Sequence, residues 1–163
     1  MKKYDLVQNR FPYFQFPDRY GFQLGADTRS LVKIVYSHAE EIGLMDIVNN
    51  VPCPIQTDPT KYQRKTCRAV TDTNIREAIA RIIEFTTFDS PRIIVVEAYS
   101  PNCAHQKARY YIDIVTGNNV YFRKGGKQDG KLWSAGHFDR PEIVDIIKDP
   151  NTIAITDLND YKF

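Results

Sequence analysis

The chain is poor in cysteine, in long aliphatic runs and in net charge, and each shortage removes a class of protein. Cys53, Cys67 and Cys103 are the only cysteines among 163 residues. Their odd number and irregular spacing argue against the disulfide framework of a small secreted domain, so reduced thiols are expected. They also fail as a metal knuckle: only Cys103 and His105 stand close together, and paired C-x-x-C spacing is missing. No metal and no cofactor is expected. The longest uninterrupted aliphatic run is Ile93 to Val96, far short of the roughly 20 apolar residues of a membrane-spanning helix. Lys2 and Lys3 begin like a secretory signal, but no apolar segment follows. The chain therefore reads as untargeted, with no membrane partner, in the cytoplasm or incorporated into a larger assembly such as a virion or an injection machine. A formal charge of +2 demands no polyanionic partner, although it permits local basic patches.

What is present is ordinary globular material, 42% apolar and 26% charged, enough for one core. The first 26 residues stand apart in composition. Phe11, Tyr13, Phe14, Phe16, Tyr20 and Phe22 are interleaved with Pro12, Pro17 and Gly21. Two prolines and a glycine exclude a regular helix there. Residues 1–26 are expected to form an aromatic, proline-rich arm, laid over its own core or docked on a partner, because so many rings are rarely left in water. Residues 27–163 are expected to form a single α+β domain.

Within that domain Asp27 or Thr28 is a capping residue, and Leu31, Ile34, Val35, His38 and Ile42 follow at helical spacing. Leu44 to Val48 can extend this helix. Pro52 to Val70 holds three prolines and a basic run, and reads as a long irregular connection. A second helix starts at Asp72 or Thr73 and presents Ile75, Ala78, Ile79, Ile82, Ile83 and Phe85 as one stripe. Asp89-Ser90-Pro91 ends it, because the residue before a proline avoids the helical region. A β-branched strand from Arg92 to Tyr99 comes next. Residues 109 to 115 alternate as a half-buried strand, and Thr116-Gly117-Asn118-Asn119 turns it into Val120 to Lys124. A further strand from Leu132 to Phe138, a short helix beginning near Pro141, and a last strand around Ile153 complete the pattern. Helices, then a meander, then a helix and strand predict N-terminal helices packed on an antiparallel meander sheet. There is no internal repeat.

Three constellations can be read for chemistry. A metal-independent ribonuclease needs an acid, a base and a cation around one phosphate, and His137, His105, Arg109 and Arg123 supply those types. Helices followed by a meander are also similar in outline to the small ribonuclease toxins of the barnase and RelE type. A histidine hydrogen-bonded at a strand end, and His38 on the edge of a core, are the ordinary alternatives. Arg123, Lys124, Lys127 and Lys131 cluster around one turn with Trp133 beside them, which suits single-stranded nucleic acid and equally suits a solvated hairpin tip. Glu97 and Asp113 can face each other on neighbouring strands, but no lysine completes the pattern of a metal-dependent nuclease, and ion pairing is the simpler role.

Ile75 to Ile83, followed by Ser90-Pro91-Arg92-Ile93-Ile94-Val95-Val96, resembles the small baseplate-wedge proteins of contractile phage tails, which have relatives in type VI secretion baseplates. In that family a helix ends in Glu-Pro-Arg-Ile and enters antiparallel strands. Here Ser90 replaces the glutamate, and the family's Thr-x-x-Gly-Glu-Arg segment is absent after the first helix. The resemblance covers residues 11 to 124. It implies a non-enzymatic subunit that binds other protein subunits, with Phe11, Tyr13, Phe14, Phe16, Pro91 and Arg92 as interaction residues and Arg92 bridging helix to sheet. An immunity or inhibitor protein bound to a macromolecule is the remaining alternative.

Overall fold

Capping and periodicity place the helices. In the computed structural model, which describes residues 13–44, 50–51, 67–68, 70–101 and 103–163, Asp27 caps α1 (Thr28–His38) by accepting from the Ser30 amide at 2.8 Å. Helix α2 (Asp72–Thr87) is capped by Thr71, one residue before the two expected. The Thr71 hydroxyl accepts from the Asn74 amide and the Asn74 side chain accepts from the Thr71 amide, a reciprocal box that serves two otherwise unpaired donors. Helix α3 (Arg140–Lys148) has the same device in Asp139 and Glu142, with Pro141 in its first turn. Phe11, Cys53 and nearly all of the 52–70 connection lie outside the described residues, as does most of the Leu44–Val48 extension.

The strands are β1 (Phe14–Pro17) and β2 (Gln23–Ala26), which form one hairpin, and β3 (Asn50–Val51) and β4 (Cys67–Arg68), which form a short pair. A five-stranded antiparallel sheet is built from β5 (Ile93–Ser100), β6 (Cys103–Asp113), β7 (Asn118–Lys124), β8 (Leu132–His137) and β9 (Ile153–Ala154). Its order is β8-β7-β6-β5-β9, so a meander is closed on its far edge by the C-terminal strand. The α+β architecture with an antiparallel meander and a C-terminal helix and strand is as the sequence pattern predicts.

One expectation changes. The strand from residue 109 is buried on both faces, not half-buried: Tyr110, Tyr111 and Ile112 are all buried. On one face Val95, Tyr111, Val120 and Phe122 meet α1 through Leu31, Ile34 and Val35, α2 through Ile75, Ala78 and Ile82, and the hairpin through Phe16 and Leu24. On the other, Ile94, Val96, Tyr110 and Ile112 are covered by Phe138 and by Ile143 of α3, with Leu158, Tyr161 and Phe163 of the tail beside them. Each fully buried aliphatic side chain contributes roughly 1.5–3 kcal/mol, so both layers are integral to stability. Phe16 lies in the first core, Phe14 is half-buried against it with ring centroids 5.2 Å apart, and Tyr13 is exposed.

Candidate functional site

The strand register decides which candidate residues meet. Ile112 pairs with Asn119 and Asn118 with His137, so His137 lies level with Asp113, eight residues along β6 from His105. At about 3.4 Å per residue that is roughly 27 Å. His137 is exposed at the end of β8, its Nδ1 3.2 Å from the Asn118 side-chain oxygen. His105 is exposed near the start of β6, and His38, half-buried on α1, lies 3.5 Å from Glu41. Arg109 is buried: its Nε and Nη2 donate to one oxygen of Glu97 at 3.1 and 2.6 Å, and its guanidinium lies 3.7 Å from the centre of the Phe22 ring. His137, His105, Arg109 and Arg123 are therefore not gathered around one phosphate.

The two acidic candidates are also apart. Glu97 pairs across the sheet with Arg109, whereas Asp113 pairs with Ile93. Asp113 receives Arg92 Nη2 at 2.7 Å and the amides of Val115 and Thr116. Arg92 thus ties the entry of β5 to the end of β6, while Pro91 is exposed beside it. The guanidinium that joins helix to sheet belongs to Arg19, which the sequence did not single out. Its Nη1 donates to the Phe88 carbonyl just past α2 at 3.0 Å, and its Nη2 to the Ile93 carbonyl of β5 at 2.6 Å. Neighbouring Asp18 accepts the Tyr20 and Phe22 amides and the Tyr111 hydroxyl. A signal existed: Asp18-Arg19 is the only charged pair inside the aromatic segment from Phe11 to Phe22.

Burial also fixes three tyrosines of the sheet, Tyr110, Tyr111 and Tyr121, in their neutral form. Desolvation pushes Tyr110 up to about 12, with a hydrogen bond to Ser100 opposing it in part. Tyr111 rises further, first by burial and then by its bond to Asp18, and Tyr121 rises by burial. None of the three is poised to titrate near neutrality.

Two surface features stand out among the described residues. The first is the corner where α2 turns into β5. Phe88 is 60% exposed there and forms the lip of a cleft of about 340 Å³, with Ile42, Phe85 and Ile93 on its apolar side and Arg81, Arg92 and Asp113 at its margin. A second cleft behind the same corner is lined by Tyr20, Pro91 and Tyr161.

The second is a basic groove. Arg123, Lys131 and Trp133 of the predicted cluster do come together, joined by Arg29 and Lys33 from α1 around a space of about 320 Å³. Arg123 lies 4.2 Å from the centre of the Trp133 ring, which meets Tyr121 edge-on, and Tyr121 in turn lies tilted against Tyr110. Gly130 lets the β7–β8 turn lie close against β2. Its φ of +81° suits glycine, and a Cβ there would lie 2.6 Å from the Gln23 carbonyl. Lys124 points elsewhere, 3.5 Å from Glu97, and Lys127 is exposed at the tip of the turn. Arg29 and Lys33 lie on the polar side of α1, one turn apart, a spacing visible in the sequence once the groove is known.

Fold and surfaces thus define a three-layered α+β domain with an apolar corner and a basic groove. No family model matches the chain, and no curated protein or solved structure matches it either.

Proposed function

We propose that this chain is a non-enzymatic interaction subunit, of the kind found in contractile-tail baseplates, that docks on a neighbouring protein through the α2–β5 corner. The observation that carries this reading is Phe88, a large ring left mostly in water at the lip of an apolar cleft with charged margins. An apolar centre ringed by polar groups is the usual anatomy of a protein interface, and an aromatic anchor entering a partner is its commonest strong contact. Support also comes from the segment itself. It is the Ser90-Pro91-Arg92 junction on which the resemblance to baseplate-wedge proteins rests, and here it joins a helix to antiparallel strands. The dispersal of His137, His105 and Arg109 weighs against the ribonuclease alternative.

The test is sedimentation of extracts from cells that make the chain in its natural setting. The parent chain should travel with a large assembly. Phe88→Asp should travel free while keeping its circular dichroism, and His137→Ala should behave like the parent. A parent chain that stays free overturns the reading. Cleavage of total RNA by the purified chain in chelator, lost in His137→Ala, would replace it with the nuclease.

A further inference from the structure

We infer that the groove between the start of α1 and the β7–β8 turn binds a short stretch of single-stranded nucleic acid, with its phosphates on Arg29, Lys33, Arg123 and Lys131 and a base against Trp133. This is independent of the corner at Phe88. Four cations face a single carboxylate, Asp27, in the groove. That local excess of three positive charges is larger than the +2 of the whole chain. Asp27 is already committed, since its oxygen accepts the Ser30 amide as the cap of α1. Among the described residues none of the four cations takes part in an ion pair.

Their placement works against the fold's own stability. The first turn of α1 carries no acidic residue, and Arg29 and Lys33 are like charges one turn apart near its positive end, an arrangement that disfavours the helix. The Asp27 cap offsets the positive end of the helix but not the mutual repulsion of the four cations, and an anionic ligand would relieve that repulsion. The aromatic component narrows the class. Trp133 is held on edge by Tyr121 and carries the Arg123 guanidinium at 4.2 Å. This pairing of planar cation and indole offers both a phosphate contact and a stacking surface, the combination used for single strands. A space of about 320 Å³ takes one or two nucleotides, whereas a duplex keeps its bases stacked inside and has nothing to offer Trp133.

Trp133 is the only tryptophan of the chain, so its emission reports on the groove directly. Titration of the full chain with an oligothymidylate 12-mer at 50 mM salt should quench that emission saturably. The groove holds about two phosphates, each between two of the four cations, so the slope of log K against log salt should be about −1.4, equivalent to roughly sevenfold weaker binding at 200 mM. Arg29→Gln with Lys33→Gln, at two exposed positions of α1, should halve the slope to about −0.7 and weaken binding about eightfold at 50 mM. Lys127→Gln, at the tip and outside the groove, should bind like the parent. Three results would each overturn the inference: no saturable quench, equal binding by the doubly substituted chain, or quenching by polyglutamate as strong as by the oligonucleotide. The last would assign the groove to an acidic protein segment. Phe88→Asp should leave the titration unchanged, so failure here and failure of the docking corner are separately visible.

Discussion

Replacing Arg109 with methionine removes one half of an ion pair that the sheet has sealed from water. Arg109 and Glu97 are 5% and 6% exposed, joined by two hydrogen bonds to the same carboxylate oxygen. Deleting one partner of a buried pair costs about 3–5 kcal/mol, because the other charge stays behind without compensation. Glu97 would keep Lys124 at 3.5 Å, but that lysine is 39% exposed, and contacts of this kind contribute about 0–1 kcal/mol. The expected loss for Arg109→Met is therefore about 3 kcal/mol, read as a lower urea midpoint at pH 7 with an unchanged slope. In a chain this long it corresponds to a Tm lower by roughly 6–12 °C. Adding Glu97→Leu removes the stranded carboxylate and should restore the double variant to within about 1 kcal/mol of the parent, since an apolar pair of similar volume often replaces a buried ion pair without penalty. Refutation takes either of two forms: a single variant that loses less than about 1 kcal/mol, or a double variant whose losses simply add. The same variant separates the roles open to Arg109, because a residue held on Glu97 and Phe22 should not alter oligonucleotide binding under conditions where the variant is folded.

Two further outcomes follow from the polar interior. Tyr110 keeps its proton in the folded chain up to about pH 12 but loses it near 10 when unfolded, so between these values the unfolded state binds fewer protons and stability falls as pH rises. The full two-unit shift is worth about 3 kcal/mol; urea unfolding at pH 8 and pH 11 should show a smaller alkaline loss in Tyr110→Phe than in the parent, and equal losses would refute the assignment. Arg19→Met should cost about 2 kcal/mol by stripping charged hydrogen bonds from the Phe88 and Ile93 carbonyls, with faster amide exchange where α2 meets β5; a urea midpoint unchanged to within about 0.5 kcal/mol would show that the clamp contributes nothing.

Local signals were readable wherever they were self-contained. The stripe of α2 and its stop at Asp89-Ser90-Pro91 needed no knowledge of distant residues, and neither did the turn at Thr116 to Asn119. The cap of α2 was displaced by one residue because Thr71, Asp72 and Thr73 are all capping types, and the reciprocal partner is Asn74 where Glu or Gln is usual. Burial of the second sheet face was hidden for another reason. It depends on Phe138, Ile143, Leu158, Tyr161 and Phe163, dispersed over short segments too weakly periodic to announce a layer. The groove shows both outcomes. Arg123, Lys131 and Trp133 are neighbours in sequence and stay neighbours in space, whereas Arg29 and Lys33 come from about a hundred residues away. Lys124, adjacent to Arg123, leaves the cluster because alternate residues of a strand face opposite sides, and its side is the one that holds Glu97.

The pairing of β5 with β6 shows what apolar pattern alone leaves undecided. A slip by an even number of residues keeps every side chain on its own face, so the alternation of Ile94, Val96 and Ala98 against Ala108, Tyr110 and Ile112 is satisfied by more than one register. Setting Glu97 opposite Asp113 corresponds to a slip of four from the register found, in which Glu97 faces Arg109 and Ile93 faces Asp113. The slipped sheet would oppose two carboxylates directly and leave Arg109 beside Pro101, which has no charge to offer. Burying an arginine without a carboxylate costs several kcal/mol, more than a change in aliphatic neighbours on the same face would recover. Apolar residues therefore decide which side of the sheet is inside, and the Glu97–Arg109 pair acts with the short connection between Ser100 and Cys103 to hold β5 in this register on β6. With that register set, His105 and His137 are carried to opposite ends of the sheet.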